Sequence, residues 1–232
     1  AQKMEDAGIL PEGTVFPVNI EEGRRVFAPF LKFNRNEQRE RPAMRQREKM
    51  VEFEKVTVKY RSVKGEPPKV FDEFCLDIGK GEKIALIGSN GAGKSTMLKL
   101  MMGLIHPESG RVSVKGKLTR DMSKEELGHT ISMVYQNPEE MFIKDSIRKD
   151  IEYAMKVRKI ENYEARTGEL LEMFRLTDLA DRDGRLLSGG QMRRASLAIG
   201  IALNPEMLLL DEPTANLDIA TRREIMKTLQ ML

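Results

Sequence analysis

Cysteine occurs once, histidine twice and tryptophan not at all among the 232 residues. A lone Cys75 excludes an intramolecular disulfide, and its place in the alternating run FDEFCLDI predicts a small buried side chain. A reducing compartment fits that usage. His106 and His129 are too few and too far apart in sequence to make a metal cluster, so both read as loop or surface residues. No apolar run approaches the roughly 18 residues that a membrane helix needs. The opening AQKMEDAGIL is not a basic region followed by an apolar one, as a leader would be. Membrane association is therefore expected only through a partner. A formal charge of +3 is too small to argue for nucleic acid by itself. What is present is a globular composition, 40% apolar and 32% charged, long enough for one large domain or a domain with a tail.

The stretch Lys83 to Met102, KIALIGSNGAGKSTMLKLMM, organises the rest. It reads as a short strand over Lys83 to Ile87, a glycine-rich loop, and a helix that stops at Gly103. Gly88, Gly91 and Gly93 free the loop of side chains, so that backbone N–H groups around Ser89, Asn90 and Ala92 can turn inward onto phosphate oxygens at a helix start. Lys94 supplies a charge for the terminal phosphates, and Ser95, followed by Thr96, offers a hydroxyl to Mg²⁺. An ordinary Gly-rich turn is the alternative. A chance match to G-x-x-x-x-G-K-[ST] in a chain of this length is on the order of 1%, which favours nucleotide binding.

Before this stretch, residues 1 to about 34 carry scattered Pro and Gly and read as irregular, with one short helix near Ile20 to Leu31. Arg35 to Lys49, RNEQRERPAMRQREK, holds six basic and three acidic residues and reads as a solvated linker. Composition shifts at Met50, so the expected division is 1–49 and 50–232. Val51 to Tyr60 and Phe71 to Ile78 alternate as strands around a polar loop with Gly65, Pro67 and Pro68. Arg111 to Val114 and Thr130 to Tyr135 are further strands, and Ser123 to Glu126 has the form of a capping box. From about 139 to 187 the chain turns charged and helically periodic, with Ile147, Ile151 and Met155 on one face and Leu170, Leu171, Phe174 and Leu176 on another. Ser188 to Leu203 and Ile219 to Leu229 read as helices. Met207 to Leu210 reads as a strand buried on both faces.

That strand runs into Asp211 and Glu212 at its C-terminal edge, where ligands of open α/β sheets collect. Behind a phosphate loop, Asp211 suits a Mg²⁺ site and Glu212 a general base for the attacking water. A capping turn before Pro213 is the plain alternative. Leu187 to Gln191, LSGGQ, opens a helix and is a second anion-binding device of N–H groups, a hydroxyl and two glycines. Together with GSNGAGKST, this pentapeptide resembles the nucleotide-binding domain of ATP-binding cassette (ABC) ATPases, over about Val51 to Leu232.

The resemblance implies an α/β fold: a P-loop NTPase core with a mostly parallel sheet, an antiparallel β subdomain and a helical insertion. It implies ATP and Mg²⁺ as cofactors, and it implies an ATPase. Tyr60 matches the aromatic residue that stacks on adenine; a half-exposed strand tyrosine is the plain reading. Gln136 matches the glutamine that contacts Mg²⁺ and the attacking water while sensing the transport partner. Asn216, Leu217 and Asp218 match a loop at the dimer interface, where the residues alone predict a turn. Ser188, Gly189, Gly190 and Gln191 of one copy are expected to close on ATP held by the loop of a second ABC domain, in a homodimer, a heterodimer or a tandem chain. VYQNPEEMF, Val134 to Phe142, resembles the corresponding segment in ATPases of energy-coupling-factor importers of vitamins and metal ions. A transmembrane subunit would dock near Gln136 to Ile143, holding the chain on the cytoplasmic face of the membrane.

Two other readings accompany this one. A soluble tandem ABC protein acting on ribosomes or nucleic acid has only the basic linker in its favour, and no direct nucleic-acid contact is expected. An ATP-binding module with little hydrolysis follows from the family's switch histidine, expected about thirty residues beyond Asp218 and so past Leu232; His106 and His129 match no such motif. The first 34 residues also look like the tail of a preceding cassette.

Overall fold

The computed structural model describes residues 48–60 and 69–231. Expectations for the irregular start, the basic linker up to residue 47 and the loop with Gly65, Pro67 and Pro68 lie outside the described residues. No described helix is long and apolar enough to cross a membrane.

Two sheets form. β1 (Lys49–Lys59), β2 (Lys69–Gly79), β3 (Ser109–Val114) and β4 (Lys117–Leu118) make an antiparallel sheet in the order β2-β1-β3-β4. Alternation in β1 buries Val51, Phe53, Val56 and Val58, and Phe53 meets Phe74 of β2 edge-on. Register slips between Phe53 and Val56, and Lys55 stands at φ 46 there. The slip keeps Val56 on the core side although the spacing from Phe53 is odd. Cys75 corrects the sequence reading. It is exposed, its Sγ accepting from the Lys55 N–H at 3.2 Å, because β2 leaves one face of its alternation to solvent.

β5 (Ile131–Val134) and β6 (Met207–Leu210) pair in parallel, from Ile131 opposite Met207 to Val134 opposite Leu210. The expected strand Lys83–Ile87 is not formed. Its residues are irregular and exposed, Ile87 to 94%. An apolar run supplies local propensity, but a strand also needs a ladder partner, and none of the described strands pairs with this segment.

The helices are α1 (Lys94–Met101), α2 (Lys124–Thr130), α3 (Ile147–Val157), α4 (Tyr163–Met173), α5 (Gly189–Ile201) and α6 (Ile219–Met231). The capping box is present at α2: Ser123 Oγ accepts from the Glu126 N–H, and the Glu126 carboxylate from the Ser123 N–H. Ile147, Ile151 and Met155 of α3, with Leu170, Leu171, Phe174 and Leu176, are all at most 2% exposed. They share one core with Val134, Ala195, Leu197 and Ile225, so the helical stretch is packed onto α5 and the end of β5. A separate core lies between the antiparallel sheet and α1, around Val56, Leu100, Val114 and Ile131.

Asp218 starts α6. Its carboxylate accepts from the Thr221 hydroxyl at 2.5 Å and from the Thr221 and Ala220 N–H groups at 3.0 and 2.9 Å. The Thr221 hydroxyl first, and then those N–H groups, hold its carboxyl below the usual carboxylate range. A depressed native value adds stability above the unfolded value and loses it as pH falls through the native one. The start of α6 is therefore expected to fray in acid, and Asp218→Asn to flatten that acid limb. Helicity followed by circular dichroism from neutral to acid pH checks this; equal acid loss in both proteins would refute it.

Candidate functional site

Local geometry at the loop begins with Gly93, which ends the loop and precedes α1 at φ 92. A Cβ there would stand 2.7 Å from Val70 Cγ1 and 3.0 Å from the Phe71 ring, so only glycine lets β2 close against the start of α1. Gly88, Ser89, Asn90, Gly91 and Ala92 are exposed. Lys94 Nζ donates back to the carbonyls of Gly88 and Ser89 at 2.9 and 3.0 Å, holding the loop as a closed ring. Thr96 is buried and shares a hydrogen bond of 2.9 Å with the hydroxyl of Tyr60, which is itself half exposed beside the loop.

Asp211 meets the start of α1, and Gln136 meets the neighbouring Glu212. Ser95 Oγ donates to Asp211 Oδ1 at 3.2 Å, across 116 positions of sequence. Asp211 is positioned by the parallel ladder, since its N–H donates to the Val134 carbonyl at 3.0 Å. Just past β5, Gln136 Nε2 donates to Glu212 Oε2 at 3.1 Å. Glu212 has φ 46, a left-handed backbone unusual for a side chain with a Cβ, and here it turns the carboxylate out of the strand direction toward Gln136.

Mg²⁺ can be tested against this donor set. A hydroxyl and a carboxylate within hydrogen-bond distance are hard oxygen donors, and Mg²⁺ characteristically takes one or two such protein ligands and fills its octahedron with phosphate oxygens and water. The residues fit. Among the described residues no three His, Cys, Asp or Glu side chains gather as a self-sufficient cage.

LSGGQ forms the start of α5. Ser188 Oγ accepts from the Gln191 N–H at 3.4 Å and Gln191 Oε1 from the Ser188 N–H at 3.0 Å, a reciprocal cap on α5. Gly190 is required by packing, because a Cβ would lie 2.6 Å from Thr221 Cγ2 of α6. Asn216 turns the chain at φ 58 and Asp218 caps α6, so the TANLD stretch is a turn and a helix start.

Two residues escaped the sequence reading. Arg193 of α5 is 2% exposed, its guanidinium donating to the Tyr135 and Gln136 carbonyls at 2.8 and 2.7 Å. Asp150 of α3 is 3% exposed, and its Oδ1 accepts from the N–H groups of Ile143 and Lys144, both at 2.8 Å. Burial pushes the Asp150 carboxyl up, against those two N–H bonds. The signal available was periodicity: Asp150 follows Ile147 by three and Arg193 precedes Leu197 by four, placing a charge on each buried stripe. Asp150 holds down a segment whose tip, Ile143, is 68% exposed.

The family model described as ABC transporter matches residues 71–215. The energy-coupling factor transporter ATP-binding protein EcfA1 of Streptococcus pyogenes serotype M12 (strain MGAS2096) is 34% identical over 183 residues, and that of serotype M5 (strain Manfredo) 33%. The alignment covers 78% of this chain, which spans 65% of the length of these curated relatives. Among solved structures, the ATP-binding cassette MJ0796, a dimer in a post-hydrolysis state bound to ADP and Pi, superposes with a TM-score of 0.69 at 30% identity, over 79% of this chain and 82% of that one. CbiO1 of Clostridium perfringens, part of the ABC transporter complex cbiONQ, superposes with a TM-score of 0.68 at 29% identity, over 79% and 74%. Since the ABC transporter model spans more than half of its residues, the chain belongs to the ABC transporter family.

Proposed function

We propose that this chain binds Mg·ATP and hydrolyses it to power transport across a membrane, as the ATPase of an energy-coupling-factor importer of vitamins or metal ions. The observation that carries the reading is the meeting of Ser95 with Asp211 and of Gln136 with Glu212 beside the phosphate loop. Residues 50–232 act as one cassette, with 139–187 as its helical insertion.

When bound, Mg²⁺ would neutralise charge on the terminal phosphates, held by Ser95 and Asp211 with Gln136 at its edge. Lys94 exchanges its two carbonyl acceptors for phosphate oxygens, and the N–H groups from Gly88 to Thr96 surround the phosphates. Tyr60, tied through its hydroxyl to Thr96, offers its ring to the adenine. Gln136 orients the attacking water, and Glu212 takes its proton. As the resemblance to ABC cassettes implies, Ser188, Gly189 and Gly190 at the capped start of α5 close on ATP held by a second ABC domain.

The membrane subunit docks at Gln136 to Ile143, where Ile143 offers an exposed apolar side chain at the tip of a segment fixed by Asp150. Peripheral attachment to the inner face of the membrane follows. Ile143→Lys is expected to weaken co-purification with the membrane subunits at least tenfold while leaving nucleotide affinity unchanged, since a charge placed in the apolar centre of an interface costs more than about 1.4 kcal/mol. Undiminished co-purification would remove the docking surface. Radiolabelled ATP turnover by the same complex, stimulated by ribosomes instead of by the membrane subunits, would refute the transport role.

A further inference from the structure

Arg193 has no carboxylate partner among its described contacts, although it is among the largest fully buried side chains. Its two terminal nitrogens reach two successive carbonyls, Tyr135 and Gln136, at 2.8 and 2.7 Å, and its Nε has no hydrogen-bond partner. Burial lowers the proton affinity of this guanidinium. A cation placed in such surroundings is costly unless its donors are well directed, and a planar fork meets two neighbouring carbonyls in a way a lysine cannot.

The place of those carbonyls gives the contact its meaning. The β5–β6 ladder ends with Val134 opposite Leu210, and the Asp211 N–H then takes the Val134 carbonyl. Tyr135 and Gln136 are the next two residues, past the paired strand, and the Gln136 side chain is the one that donates to Glu212. Arg193 also stands five positions after Ser188 on α5, within a rigid helix. Its neighbour Arg194 reaches Glu224 of α6 at 3.6 Å, so consecutive arginines tie the same helix to two different elements.

We infer that Arg193 is a positioning residue: it fixes the backbone from which Gln136 reaches Glu212, and it links that backbone rigidly to the helix that begins at Ser188. This inference rests on the hydrolysis reading for its effect on turnover, but the mechanical link stands independently of it.

Arg193→Met keeps the length and apolar stem of the side chain and removes both donors; Arg193→Lys keeps the charge but can serve one carbonyl at a time. Both are made in the full chain, and trinitrophenyl-ATP affinity, kcat and KM for ATP, and amide hydrogen exchange are measured. The expected result for Arg193→Met is a kcat lower by about 10- to 100-fold, the range a small misplacement of a reacting group produces. KM and nucleotide affinity should stay within about twofold, because the phosphate loop is untouched. Exchange should rise in the peptide covering 134–142 and at the start of α5, with 88–96 unchanged, and Arg193→Lys should fall between wild type and Met. Unchanged exchange at 134–142 would overturn the inference, as would exchange raised evenly through the chain in Arg193→Lys, which marks a residue that only stabilises the core. If Arg193→Met does not fold, Arg193→Lys decides by the same exchange pattern. A wild-type chain without turnover defeats the hydrolysis reading, and the exchange pattern still decides for or against the link.

Discussion

Glu212→Gln is expected to lower ATP turnover by about 10²- to 10⁴-fold, the usual contribution of a positioned general base, while ATP binds as tightly as before. The substitution preserves side-chain volume and leaves an amide oxygen to accept from Gln136 Nε2, so the 3.1 Å contact can persist. What is lost is the ability to take a proton from water. In the proposed site, binding is carried elsewhere, by the loop from Gly88 to Thr96 and by Ser95 and Asp211, which meet at 3.2 Å. Phosphate release under saturating ATP, with affinity measured separately, separates the two quantities. Turnover within a few fold of wild type would assign the base to another group, and loss of affinity in parallel would make Glu212 a binding residue.

Gly93→Ala is expected to be the most damaging single methyl in the loop. At φ 92 the backbone occupies a region that costs an L-residue about 1–2 kcal/mol. The added carbon would also stand 2.7 Å from Val70 Cγ1 and 3.0 Å from Phe71, an overpacking that costs about 1–3 kcal/mol. Together these come to about 2–5 kcal/mol, a large part of the stability of an ordinary domain. Relief would come by moving the start of α1 away from β2, which takes Lys94 and Ser95 out of line with Asp211, so nucleotide affinity falls with stability. Gly91→Ala is the internal comparison. Gly91 also has a positive φ, 84, but its Cβ would meet nothing within 4 Å, so only the backbone cost remains. Chemical denaturation and nucleotide titration of the two variants check the ordering, and equal stability of both would remove the argument from close packing.

The parts legible in advance were those whose physics is local. A serine three residues before a glutamate satisfies its own helix start, and the capping box at Ser123 forms as the spacing predicts. The helical stripes at Ile147, Ile151 and Met155 and from Leu170 to Leu176 are buried for the same reason: periodicity within a helix decides which side chains share a face. Lys83 to Ile87 shows where that logic stops. Its apolar composition favours a strand, but strand formation is settled by a partner ladder that no local pattern encodes. Cys75 failed differently: alternation told that β2 has two faces, and only the packing of the sheet told which face is wet.

By itself, the amino-acid sequence determined the family, the glycine-rich loop, the acidic strand end and the Ser123 cap, because each is a short pattern complete within a few residues. Tertiary structure alone decided that Ser95 meets Asp211 across 116 positions and Gln136 meets Glu212 across 76. It also brought a buried arginine of α5 onto the Gln136 carbonyl. Those contacts depend on which strand lies beside which and on how closely a helix can approach them, and both are set by packing between distant parts of the chain.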